Sequence, residues 1–100
     1  MTGKFTVRVE LHGVRDDSDD YERLHEAMAK KGFRKYLSYD DGKNKFQLPT
    51  AEYRYFSDAE TNEQVAQKAY DIADTIKRNP SVISTEGDVA KRNLKKFDAT

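Results

Sequence analysis

The residues best suited to proton transfer in this chain are its two histidines, His12 and His25. Metal-free cleavage of RNA needs a base for the ribose 2′-hydroxyl, an acid for the leaving oxygen and a cation beside the phosphate. Histidine serves the two proton steps, and arginine or lysine offsets the charge. His12 follows Arg8 at an even spacing, which places both on one side of a β-strand. The sequence therefore indicates His12 and Arg8 as candidate catalytic residues, with an exposed histidine at a strand end as the alternative.

His25 lies beside the apolar stripe of a predicted helix, so a packing or surface role is favoured for it. Metal-assisted chemistry would use paired carboxylates instead. The acidic loop after the first predicted strand offers four: Asp16, Asp17, Asp19 and Asp20. Their spacing does not follow the calcium-loop pattern, and solvating the start of the helix is their simplest role. The absence of cysteine excludes thiolate ligands and disulfides. We therefore predict no metal site and no cofactor.

Positive charge is clustered although the formal net charge is zero, with 18 basic and 18 acidic residues. A global basic field that attracts nucleic acid is therefore not expected. Two clusters nevertheless contain no acid. The first is a candidate RNA-binding surface and consists of Lys30, Lys31, Arg34 and Lys35; the second consists of Lys91, Arg92, Lys95 and Lys96. Solvated surface is the alternative interpretation of both clusters.

The first third of the chain supplies the elements that must position these residues. Apolar residues alternate with polar ones from Lys4 to His12, the period of a strand with one buried face. Apolar residues then recur at helical spacing from Tyr21 to Met28, after capping signals at Ser18 and Asp19. Gly32 can end this helix in a left-handed conformation.

A hairpin and a second helix follow. The turn signal in residues 40–44 joins a strand over residues 34–39 to a third strand over residues 45–56. The apolar parity changes within this third strand, so we expect a bulge or break at Pro49-Thr50. Thr61 and Gln64 form a capping box for the second helix, and residues 81–86 form a fourth strand. The basic tail, about residues 88–100, fits either a helix or an edge strand.

The element order predicts the fold class. Strand, helix, strand, strand, helix, strand within 100 residues gives a single α+β domain over residues 1–100, a ferredoxin-like βαββαβ sandwich. Its four-stranded antiparallel sheet carries both helices on one face. The other face should carry polar residues from the central first strand. Rings that stack on single-stranded bases would have to come from other strands, from Tyr36, Tyr39, Tyr53 or Tyr55, of which half or more should be core.

Several segments together resemble a known family. They are Phe5 to His12, Asp20-Tyr21, Leu24-His25, Ala27-Met28, Gly32-Phe33 and Leu48 to Tyr53. These segments resemble the GhoS family of bacterial and phage proteins, antitoxins of type V toxin–antitoxin systems. The resemblance covers about residues 4–56 and implies a ferredoxin-like fold and an endoribonuclease that cleaves toxin messenger RNA. The shared motifs belong to the scaffold, so the resemblance assigns no catalytic residue here.

Two functions from different classes follow. The first is a cytoplasmic RNA-directed antitoxin, as an endoribonuclease or a binding protein, with messenger RNA as its partner. The second is a non-enzymatic interaction module of phage or mobile-element origin, which would form a homodimer or bind a protein through the sheet face or an edge strand. No apolar run is long enough to span a membrane, so we expect no membrane association under either function.

Overall fold

The fold was examined in a computed structural model that describes residues 3–15, 18–39, 44–49 and 51–87. The prediction for the tail over residues 88–100 lies outside these ranges, as do Asp16, Asp17 and Thr50. The elements in chain order are β1 (Gly3–Glu10), α1 (Asp19–Lys30), β2 (Tyr36–Tyr39), β3 (Asn44–Gln47), β4 (Glu52–Ser57), α2 (Asn62–Ile76) and β5 (Ser81–Glu86). The α+β class predicted from the sequence is thereby confirmed.

Strand β1 is central and has the predicted alternation. It pairs antiparallel with β4 on one side and with β5 on the other, which gives the order β4-β1-β5. Phe5, Val7 and Val9 are buried. Side chains from both helices join these three in one apolar cluster, so both helices pack on this face of the sheet, as predicted. Burial of this cluster is the main favourable contribution to folding.

Helix α1 begins after Ser18, whose side chain makes no capping hydrogen bond, so the predicted capping role of this residue is not observed. Its end follows the prediction. Gly32 has a φ of 92°. Its amide donates to the Ala29 carbonyl over 3.1 Å, and the Phe33 amide donates to the Met28 carbonyl over 3.0 Å. This pair of bonds is a Schellman motif, and it directs the Phe33 ring into the core.

The predicted third strand is broken where the sequence indicated. Strand β3 ends at Gln47 and β4 begins at Glu52. Between them, Ala51 adopts a φ of 66°, which is uncommon for a residue with a side chain. The two halves have different partners, because β3 pairs with β2 and β4 pairs with β1. The break at Pro49 therefore separates two pairing surfaces.

The sheet differs from the predicted four-stranded arrangement for this reason. Among the described residues, the structure contains a three-stranded sheet and a separate two-stranded hairpin, β2-β3. One isolated antiparallel bridge, between Arg34 and Arg54, joins the hairpin to β4. The Lys35 carbonyl already accepts from the Leu48 amide. The chain after Arg34 thus pairs with β3, because β4 has not extended far enough to receive it.

Helix α2 has the predicted capping box. The Gln64 amide donates to the Thr61 hydroxyl over 3.2 Å, and the Thr61 amide donates to the Gln64 side-chain carbonyl over 2.8 Å. Val65, Ala69 and Ala73 are buried against β1 and α1. In the described ranges neither helix combines the length and apolarity that crossing a bilayer requires.

The face of the three-stranded sheet opposite the helices is called the polar face here. Pairing register and alternation define its rows. Its residues are Lys4, Thr6, Arg8 and Glu10 from β1, Glu52, Arg54 and Phe56 from β4, and Ser81, Ile83 and Thr85 from β5.

Candidate functional site

The two candidate catalytic residues lie towards the carboxyl end of β1. Arg8 is exposed on the polar face, opposite Glu52 on β4 and Ile83 on β5. His12 lies two residues beyond the end of the strand and is also exposed. Neither side chain is part of the core, so both are accessible to a ligand.

His12 has a defined partner. Its Nε2 and the Ser81 hydroxyl share a hydrogen bond of 2.7 Å. Ser81 opens β5 directly opposite Glu10, so this bond connects the turn after β1 to the start of its neighbouring strand. A serine bonded to a histidine holds the imidazole in one orientation, which suits a general base. The sequence separation of 69 residues explains why this partner was not predicted.

A cleft of about 590 Å³ adjoins this pair. Arg8, Glu10 and Ser81 supply its polar groups, whereas Leu11, Val14, Tyr21 and Ile83 are among its apolar lining residues. The Leu11 amide donates to the Tyr21 hydroxyl over 3.0 Å, which fixes the wall of the cleft to α1. The cleft can therefore accept a ligand with an anionic group and an apolar or aromatic part.

His25 lies in a different environment. It is half-buried, and its Nδ1 and the Tyr53 hydroxyl share a hydrogen bond of 2.6 Å. Burial, with a smaller contribution from the positive charge of Lys35, lowers the pKa of His25 from 6.5 to about 4. Burial also raises the pKa of Tyr53 above its ordinary value. Both groups are thus neutral near pH 7, which agrees with the packing role favoured by the sequence.

Lys35 is turned towards the backbone of its own molecule. Its ammonium donates to the carbonyl oxygens of Leu48, Pro49 and Glu52, with distances of 3.2 Å to Leu48 and 3.3 Å to Glu52. It also lies 5.4 Å from the centroid of the Tyr53 ring. Burial lowers the pKa of Lys35 to about 8, while the Glu52 carboxylate acts in the opposite direction. Lys35 therefore stabilises the segment between β3 and β4.

The other three cations of the predicted RNA-binding cluster do not share one surface. Lys30 and Lys31 line a groove of about 400 Å³ between the two helices, together with Asp71 and Ile72. Arg34 pairs with Arg54 and its guanidinium lies over rings of the sheet and hairpin. The structure therefore divides the four predicted residues among the helical side, an internal clamp and the sheet side.

Arg34 belongs to a group of alternating cations and rings that the sequence did not reveal. Its guanidinium lies 5.5 Å from the centroid of Phe56 and 5.9 Å from that of Tyr36. The Arg54 guanidinium lies 5.6 Å from Phe56, and the Lys45 ammonium lies 4.8 Å from Tyr36. We call this group the cation–π ladder: Arg54, Phe56, Arg34, Tyr36 and Lys45. Each contact falls within the range of attractive cation–π pairs.

Two members of the ladder differ sharply in exposure. Arg54 is only 5% exposed and donates to the Thr6 hydroxyl over 2.7 Å, so it is fixed to the sheet. Phe56 is 41% exposed, which is unusual among the rings of this chain. Of the tyrosines considered for base stacking, Tyr53 and Tyr55 are buried in the core, as predicted for half of the set. The side chain of Tyr39 lies outside the described part of the structure.

A metal centre has no support in the described ranges, where no three His, Asp or Glu side chains come close enough together to bind one ion. Comparisons with known proteins were also made. No family model, curated protein or solved structure matches this chain.

Proposed function

We propose that this chain is an RNA-directed antitoxin-like protein of the GhoS type, which binds single-stranded RNA on its polar face and cleaves it beside His12. We also propose that its scaffold is a ferredoxin-like sandwich in which the Arg34–Arg54 bridge occupies the position of the fourth strand. The observation that carries the proposal is the cleft at the end of β1. It brings Arg8, the His12–Ser81 pair and an apolar wall together.

The proposed reaction is transesterification within the RNA. His12 takes the proton of a ribose 2′-hydroxyl, whose oxygen attacks the adjacent phosphorus. The bond from phosphorus to the 5′-oxygen breaks, and this oxygen receives a proton from water or from the protonated imidazole. The products are a 2′,3′-cyclic phosphate and a 5′-hydroxyl end. Arg8 offsets the additional negative charge on the phosphate during the attack.

The test is incubation of purified protein with an A/U-rich single-stranded RNA at low salt in the presence of EDTA. We expect cleavage to persist in EDTA and to leave cyclic phosphate ends. His12→Ala should reduce the rate by about 100-fold or more, the usual contribution of a positioned general base. Equal rates for His12→Ala and the unmodified protein would overturn the role of His12, and absence of both binding and cleavage would overturn the proposal.

A second candidate is a protein-interaction module, and one observation favours it. Among the described strands β5 lies at the edge of the sheet, and its Ile83 is 67% exposed. Edge strands with apolar side chains favour pairing with another chain. This function predicts a homodimer in solution that Ile83→Lys dissociates. A monomer over a wide concentration range would count against it.

A further inference from the structure

We propose that the cation–π ladder is a stacking site for single-stranded RNA bases, with Phe56 as the ring that receives a base. This inference rests on the proposed function and assigns its RNA-binding site to particular side chains. The ladder is distinct from the His12 cleft, whose lining includes none of its five members.

The arrangement of the ladder is suited to a chain of alternating bases and phosphates. Single-strand binding sites combine aromatic rings that stack on bases with cations that follow the backbone. Here two rings alternate with three cations at distances of 4.8 to 5.9 Å between each charge and the neighbouring ring centroid. An RNA strand that follows the ladder therefore meets a stacking surface and a positive charge in turn.

Phe56 is the member best placed to receive a base. It pairs with Lys4 on the polar face and retains 41% exposure, whereas Phe5 and Phe33 are fully buried. Its two guanidinium neighbours are held by the scaffold: Arg54 by the Thr6 hydroxyl, and Arg34 by its backbone bridge to Arg54. A preorganised ring loses little conformational freedom when a base stacks on it.

The charge of the ladder favours RNA over an apolar protein segment. The ladder contains three cations and no acid. A purely apolar partner would cover these cations without compensating their lost hydration. A phosphate backbone supplies the opposite charge, and its bases supply flat surfaces for Phe56. A single-stranded polyanion with planar groups is the ligand that uses both properties.

The experiment compares two fluorescently labelled probes of equal charge, a uridine decamer and a decamer with the same phosphates but no bases. Fluorescence anisotropy gives the affinity of each. We expect the unmodified protein to bind the uridine decamer more tightly. Phe56→Leu should weaken uridine binding by at least about fivefold, because one base loses its aromatic stacking surface. Binding of the abasic probe should stay unchanged.

Controls separate stacking from folding. Phe56→Tyr keeps the ring and should retain the affinity, while Ile83→Ala changes another exposed apolar residue of the same face and should have no effect. If Phe56→Leu does not fold, as judged by circular dichroism, Tyr36→Leu replaces it with the same expectation. Equal affinity for the two probes, or a uridine affinity unaltered by the leucine variant, overturns the stacking site while RNA binding stands. Failure to bind either probe overturns the proposed function itself.

Discussion

The Nδ1 atom of His25 lies 2.6 Å from the hydroxyl oxygen of Tyr53, in a half-buried position between α1 and β4. The pKa of His25 is lowered by burial and by Lys35, from 6.5 to about 4. The unfolded chain therefore binds more protons than the folded one between these two values. Stability consequently falls as the pH drops from 6.5 towards 4, and it is fully retained above 6.5.

Replacing His25 should remove this dependence. In the unmodified protein, the loss between pH 6.5 and 4.5 should be on the order of 1–2 kcal/mol after allowance for solvent screening. Urea unfolding at a series of pH values measures it. His25→Asn should be less stable at pH 7 but show a flatter profile. His12→Asn changes the exposed histidine and is the matched control; a flattened profile in this variant would contradict the assignment.

Lys35 offers a test of the internal clamp. Lys35→Met removes the donor that serves three backbone carbonyls, and we expect it to lower the free energy of unfolding by about 1–3 kcal/mol. Lys30→Met, at an exposed position in α1, should change it by less than about 0.5 kcal/mol. Denaturant unfolding of both variants at pH 7 distinguishes them. Equal effects would mean that Lys35 contributes no more than an ordinary surface lysine.

The Ser81 hydroxyl should matter for cleavage without being essential. Because it orients the imidazole of His12, Ser81→Ala should slow RNA cleavage by about tenfold, less than the loss expected for His12→Ala. Ser84→Ala, on the same strand, is the matched control. Its hydroxyl oxygen is buried and has no hydrogen-bond partner in the described part of the chain, so its removal should leave the rate unchanged. A rate unaltered by Ser81→Ala would remove its positioning role.

Salt dependence can decide which basic surface meets RNA. A plot of log affinity against log salt concentration loses about 0.7 in slope for each phosphate contact removed from a single strand. Arg34→Ala should show this loss, since Arg34 lies on the sheet side. Lys31→Ala, in the groove between the helices, should retain the slope of the unmodified protein. The opposite result would place the RNA on the helical side.

The sequence predicted the elements of this fold well because their signals are local. Alternation in β1, the glycine after α1 and the capping box of α2 each depend on neighbours along the chain. The fourth strand was harder to predict, because its pairing depends on where β4 begins after the break at Pro49. A parity change shows that a break exists, but it does not show which partner each half takes.

The candidate site divides in the same way. Exposure of Arg8 and His12 follows from the alternation of a single strand. The ladder requires the register between β1 and β4 and the bridge from Arg34 to Arg54, which are distant in sequence. The clamp of Lys35 was hidden for the same reason, because its acceptors are 13 to 17 residues away. Counting charges in one segment therefore grouped four cations that the fold separates.

The isolated bridge between Arg34 and Arg54 has a consequence for local unfolding. The hairpin β2-β3 is joined to the rest of the sheet by that bridge, by the clamp of Lys35 and by the rings of the ladder, whereas β1 has a strand on each side. Such a segment opens at a lower free energy than the global transition. Hydrogen exchange should therefore label the amides of the hairpin before those of β1. A nucleic acid seated across the junction would slow that exchange, which makes the hairpin a built-in reporter of occupancy.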